Sequence, residues 1–178
     1  RHAKVINFGI AYGMSSYGLA RDLGIARKEA EDYIDKYFNR FSGVKEYMDK
    51  VVAQAKDDGY VTTMLERKRY IPEIKSRNYH RRNFARRTAI NTPIQGSAAD
   101  IMKLAMINVY ERLQQEDYFA RMLLQVHDEL VLEVKKDNLN CTASLVKEEM
   151  ENAIKLDVPL IADIQVGENW KDKKGYKI

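Results

Sequence analysis

The hydrophobic period of this chain changes once, near residue 120, and that change limits the fold more than any other feature. Before it, apolar residues recur at spacings of three and four, the signature of one helical face. Ala30, Tyr33, Ile34, Tyr37 and Phe38 do so within residues 26–41; Val44, Tyr47, Met48, Val51 and Val52 within 44–55; Ile101, Leu104 and Ala105 within 97–113. After it, residues 121–126 and 130–134 are short apolar runs flanking His127-Asp128-Glu129, which predicts a hairpin with a charged tip. Short helices are expected over 5–12 and from Ser15-Ser16 to Leu23, a turn at Asp57-Asp58-Gly59, and a small ribbon from 60–65 and 69–71 ended by Pro72. A helix is expected from Asp137 or Asn138 through Ile154, then a last strand over 160–166. Helices first, then two strands, a helix and a strand, make the class α+β. Pro93 lacks an amide donor and crowds the preceding turn, so it is expected to separate a helix over 79–90 from one over 97–113. A boundary is therefore expected near 86–95, dividing the chain into 1–86 and 87–178.

The chain has 178 residues, enough to bury a real core in one or two small domains. Hydrophobic residues at 45% argue against wholesale disorder, and 3 Pro with 9 Gly exclude collagen-like designs. No run of about 18 apolar residues exists, so a spanning helix is excluded. The single cysteine, Cys141, excludes an internal disulfide framework and a Cys-rich zinc site, and favours a reducing compartment. Cys141 lies in a predicted helix with no adjacent His and reads as inert; Trp170 is expected to pack the tail. The chain opens Arg1-His2-Ala3-Lys4 without Met and without a signal-like run, so a piece of a longer protein is expected.

Charge is unevenly spread. Residues 1–110 carry 20 basic against 12 acidic side chains, and residues 111–178 carry 10 against 14. The densest stretch, 65–90, holds nine basic residues, seven of them Arg, against Glu66 and Glu73. Forked guanidinium contacts suit phosphate, and Tyr70 and Tyr79 are interleaved, so a nucleic-acid surface is one reading. A solvated face is the other.

Three constellations carry candidate chemistry. In the first, Arg1, Lys4, Phe8 and Tyr12 are spaced to share a helix face with two cations followed by two rings. A ligand bearing phosphates and a flat base needs both, whereas an amphipathic helix with core rings and snorkelling cations would show the same spacing. In the second, the adjacent carboxylates Asp128 and Glu129 repel each other unless a cation binds. Mg²⁺ prefers carboxylate oxygens supplemented by water and phosphates, and alternation along a strand makes one carboxylate the direct ligand. A plain polar turn is the competing reading. In the third, Arg87, Asn91 and Gln95 fall at i, i+4 and i+8 in an otherwise apolar stretch, where polar groups need partners. They either read bases and hold backbone or cap helices around Pro93. Gly96-Ser97-Ala98-Ala99 offers small residues for close helix packing.

Lys4-Val5-Ile6-Asn7-Phe8-Gly9-Ile10-Ala11-Tyr12-Gly13, Asn91-Thr92-Pro93-Ile94-Gln95-Gly96-Ser97-Ala98-Ala99-Asp100 and Gln125-Val126-His127-Asp128-Glu129-Leu130 together resemble the family-A DNA polymerases of bacteria, in order and in spacing. The resemblance runs essentially from Arg1 to the C-terminal stretch, where Gly167-Glu168-Asn169-Trp170 resembles the family's tail. It implies a helical fingers subdomain over 1–86 and the C-terminal part of an antiparallel-sheet palm over 87–178. It implies that Lys4, Phe8 and Tyr12 bind the dNTP: Lys4 on the triphosphate, Phe8 on sugar and base, Tyr12 at the template position. It implies that Asp128 is a catalytic metal ligand with Glu129 its acidic neighbour, and that His127, Arg67, Arg87, Asn91 and Gln95 contact the primer–template or shape the site. Glu66 stands where the family pattern is not acidic.

The reaction implied is nucleotidyl transfer from a dNTP to a primer 3′-hydroxyl with two Mg²⁺ ions, in DNA replication and repair. The motif carrying the first metal-binding aspartate is not among these residues, so the fragment alone is expected to be inactive. An unpaired sheet edge beside 121–134 is expected to invite self-association. The implied setting is the bacterial cytoplasm, at the nucleoid. A non-catalytic nucleic-acid-binding module is the alternative, but it leaves the Asp128-Glu129 tip without a role.

Overall fold

The computed structural model describes residues 2–116 and 119–178. It divides into two compact units, residues 1–97 and 98–178, with the break inside one long helix.

In the first unit, α1 (His2–Ala11) turns through Gly13 into α2 (Ser16–Leu23). Ser15 caps α2, its hydroxyl accepting a bond from the Gly18 amide at 3.3 Å. Leu19, Ala20 and Ala30 are buried, with Val5, Ile6 and Met14 packed against them. The two amphipathic helices follow as α3 (Arg27–Arg40) and α4 (Ser42–Asp58). α4 ends at Gly59, whose φ of 79° is the left-handed conformation that terminates helices. The ribbon is β1 (Tyr60–Thr62) paired antiparallel with β2 (Lys68–Tyr70). β1 is shorter than the sequence pattern suggests, because residues 63–67 form the loop, and β2 keeps its expected length one residue earlier. Pro72 opens a single 3₁₀ turn rather than simply ending the strand. Val51, Ala55, Val61, Ile71, Ile74, Ala85 and Ala89 form one core; Met48, Val52 and Ile90 form another.

Pro93 does not divide the next segment. α5 runs unbroken from Tyr79 to Gln115 with Pro93 inside it. Hydroxyls on either side of the proline bond back to helix carbonyls one turn earlier. The Thr92 hydroxyl donates to the Thr88 carbonyl at 2.7 Å, and the Ser97 hydroxyl donates to the Pro93 carbonyl.

In the second unit, β3 (Ala120–Val126) and β4 (Glu129–Val134) form the expected hairpin, antiparallel, with Val126 opposite Glu129. The register shifts between Met122 and Leu124, which bulges β3. α6 (Leu139–Glu151) packs Leu145 and Val146 with Val109 and Leu113, and Met122, Leu130 and Leu132 close over them. The last expected strand shrinks to β5 (Gln165–Gly167), and an unexpected β6 (Lys173–Gly175) pairs with it. Trp170 lies between these two strands and is 47% exposed.

Candidate nucleotide-binding and metal-binding site

α1 has two faces of different character. Gly9 and Ile10 are buried, and Val5 and Ile6 pack towards α2 and α3. Lys4 and Phe8 point the other way and are exposed. The Lys4 ammonium lies 5.7 Å from the centre of the Phe8 ring, and the Phe8 and Tyr12 rings stack 6.3 Å apart at 19°. The Tyr12 amide still bonds to the Phe8 carbonyl, so Tyr12 continues the helical stripe just past α1. Core packing is thus carried by other residues. The Phe8 ring does not fill the interior, being 52% exposed, and Tyr12 is half-buried. Arg1, at the head of the stripe, lies outside the described residues.

The polar stripe of α5 is also set apart from its packing face. Ala85, Ala89, Ile90 and Thr92 are buried, whereas Arg87 and Gln95 are exposed and Asn91 is half-buried. The structure brings Arg67 to the end of this stripe, where its guanidinium donates to the Gly96 carbonyl at 3.2 Å. Backbone geometry holds it there. The Met64 amide donates to the Ser97 hydroxyl at 2.8 Å, and the Arg67 amide to the Thr63 hydroxyl at 3.2 Å. A Cβ on Gly96 would stand 2.6 Å from Thr63 Cγ2, so only glycine admits the β1–β2 loop this close to α5. Gly96 and Ser97 therefore serve a loop against a helix, while Ala98 and Ala99 are exposed. Glu66, in that loop, takes a left-handed φ of 59° without being glycine.

The charged tip is narrower than the sequence suggests. His127 and Asp128 alone form the turn, and Glu129 is already a strand residue. Two-residue hairpin turns need positive φ at their first position. His127 supplies it at 54°, a conformation His adopts more readily than most side chains. The Gln125 side-chain amide donates to the His127 carbonyl at 2.6 Å and steadies the turn. The two carboxylates consequently differ. Glu129 pairs with the Lys173 ammonium at 3.4 Å. Asp128 is exposed and has no ion-pair partner among the described residues. Lys173 was not visible as a site residue, because nothing in its local sequence signals the strand that delivers it.

Oxygen donors at an exposed turn fit a hard divalent cation. Among the described residues, no group of three or more His, Cys, Asp and Glu side chains could enclose one. Asp128 therefore fits as one ligand of a shared site rather than as a complete cage. Also among the described residues, no helix is long and apolar enough to cross a membrane.

Comparison with known proteins finds relatives over nearly the whole chain. The family model for DNA polymerase family A matches residues 1–172. DNA polymerase I of Geobacillus stearothermophilus is 57% identical over 174 residues, covering 98% of this chain and 20% of that relative. DNA polymerase I of Bacillus subtilis (strain 168) is 55% identical over 174 residues, with the same coverage. A solved structure of the POL domain of Pol1 from M. smegmatis, in complex with DNA primer-template and dNTP, matches with a TM-score of 0.87 at 50% identity. That match covers 90% of this chain and 28% of the other. The chain spans about a fifth of the length of the curated relatives it matches. Its α+β architecture is that of part of a polymerase domain. By family match and by relatedness, the chain belongs to DNA polymerase family A.

Proposed function

We propose that this chain is the C-terminal part of a DNA-directed DNA polymerase that transfers nucleotides from dNTPs to a primer 3′-hydroxyl in replication and repair. Residues 1–86 serve as fingers and 87–178 as the C-terminal part of the palm. The observation that carries the reading is the outward stripe on α1: an ammonium, then two stacked rings, on the face the core does not use. Lys4 offsets the charge of the triphosphate, Phe8 packs against sugar and base, and Tyr12 occupies the template position until the incoming base arrives. Arg87, Asn91 and Gln95, with Arg67 anchored beside them, track the primer–template, and His127 meets the primer end. The M. smegmatis structure, which holds primer-template and dNTP, supports these partners by relatedness.

Asp128 is the carboxylate that would hold Mg²⁺. Bound there, two such ions in the complete enzyme supply Lewis-acid stabilisation of charge on the attacking and leaving oxygens. This chain contributes Asp128 on a two-residue turn, with Glu129 tethered beside it. The remaining ligands come from bound phosphates, water and a carboxylate elsewhere in the longer enzyme. The 178 residues alone are therefore inactive in DNA synthesis. Leu123 and Leu124 are 54% and 50% exposed on β3, and neither β3 nor β4 has a further partner strand among the described residues. That edge favours self-association of the isolated chain. The setting is the bacterial cytoplasm, at the nucleoid.

The test is primer extension with Mg²⁺ and dNTPs. The isolated chain should extend nothing, and the same chain joined to the upstream polymerase region of a relative should extend templated DNA. Templated extension by the isolated chain, or none by the joined protein, contradicts the reading.

A further inference from the structure

The ion pair between Lys173 and Glu129 ties the charged hairpin to β6, a strand from a distant part of the chain. Lys173 is the first residue of β6 and also its first contact with the charged hairpin, its ammonium 3.4 Å from Glu129 Oε2. The lysine side chain is only 29% exposed, although it ends in a charge.

β6 is firmly anchored. The Asn169 side chain accepts from the Lys171 and Asp172 amides at 3.0 and 2.9 Å and donates to the Asp172 carboxylate at 3.1 Å, which closes the β5–β6 turn. A Cβ on Gly167 would stand 2.2 Å from the Asp172 carbonyl oxygen, so this close crossing requires glycine. Beyond β6, the Tyr176 amide donates to the Ile164 carbonyl at 2.8 Å and its hydroxyl donates to the Asn140 side chain. Lys173 is therefore placed by backbone and side-chain bonds on both sides, not left to wander on a tail.

We propose that Lys173 is a positioning residue that holds the Glu129 carboxylate off the cation at Asp128, so that Asp128 alone binds the metal directly. The inference rests on the metal role of Asp128 proposed above. Two neighbouring carboxylates would otherwise converge on one ion, taking positions that substrate phosphates and water must fill. An ammonium on one of them removes that option and also lowers the negative potential at the turn. Because the pair is partly exposed, the effect is a few-fold rather than orders of magnitude.

The experiment uses the 178-residue chain with Mn²⁺ as the probe, read by paramagnetic broadening of the backbone amide signals of residues 126–130. Glu129 side-chain rotamer averaging is measured without metal. Lys173→Gln should tighten Mn²⁺ binding by about two- to fivefold and increase Glu129 averaging, whereas Lys173→Arg should behave as the native chain. Asp128→Asn should abolish the broadening at the same Mn²⁺ concentrations. Equal Mn²⁺ midpoints for native and Lys173→Gln chains, with binding lost in Asp128→Asn, overturn the role of Lys173 and leave the polymerase reading standing. An Arg variant that behaves like the Gln variant also overturns it. Mn²⁺ broadening that survives Asp128→Asn overturns both.

Discussion

Lys4 and Phe8 stand one helical turn apart on α1, with the ammonium 5.7 Å from the ring centre. At that distance the ring attracts the cation and restrains a side chain that would otherwise sample many rotamers. The cation is thus held near where phosphates would lie if the ring faced a sugar and base. Charge-assisted hydrogen bonds contribute about 1.5–3 kcal/mol. Lys4→Ala, in the chain joined to the upstream polymerase region of a relative, should therefore lower kcat/KM for dNTP about tenfold or more. Single-nucleotide incorporation kinetics check this, and an unchanged kcat/KM removes Lys4 from the triphosphate site.

Phe8 is 52% exposed and stacked on Tyr12, so a hydroxyl on its ring edge can be solvated without disturbing the core. Phe8→Tyr should raise the use of dideoxynucleotides relative to dNTPs, because the added hydroxyl substitutes for the 3′-hydroxyl that a dideoxy sugar lacks. A competition assay reads the ratio directly. Equal discrimination by both forms would show that residue 8 does not monitor the sugar.

Gly96 and Thr63 give a stability prediction with its own rescue. An Ala Cβ at 96 would approach Thr63 Cγ2 to 2.6 Å, and Thr63 is buried at 6% exposure. Overpacking of this kind costs about 1–3 kcal/mol, against a gain of up to about 1 kcal/mol from better helix propensity. Gly96→Ala should therefore lower the denaturation midpoint. Adding Thr63→Ser removes the clashing methyl and keeps the hydroxyl that accepts from the Arg67 amide, so the double variant should recover most of the loss. No recovery would mean that the loop is held by something other than this contact.

Much of this was legible in the sequence, for identifiable reasons. The amphipathic helices and the hairpin are encoded locally, in periods of about 3.6 and 2. The α1 stripe was visible as spacing, but whether its rings faced the core depended on Val5, Ile6, Gly9 and Ile10 filling that role instead. Pro93 does not end the helix because a proline removes a single backbone bond, and burial of Ala85, Ala89, Ile90 and Thr92 on one side of the helix depends on partners distant in sequence. The short β5 and the unexpected β6 escaped because Lys173-Lys174-Gly175 has no strand pattern of its own. It is held by Asn169, Gly167 and Tyr176 at a distance. The sequence sets Asp128 apart from Glu129 as the metal ligand, but not the ion pair on Glu129, which depends on Lys173, 44 residues beyond it.

On the proposed reading, Asp128 supplies a carboxylate to the catalytic metal site of a family-A polymerase. Single-turnover nucleotide incorporation by the chain joined to the upstream polymerase region of a relative, native and Asp128→Asn, is the sharpest test. Asn keeps the size and the turn but loses the charge, and metal stabilisation of the transition state amounts to several kcal/mol. The incorporation rate should fall by about a hundredfold or more while primer–template affinity stays close to native. Incorporation at the native rate by Asp128→Asn would contradict it.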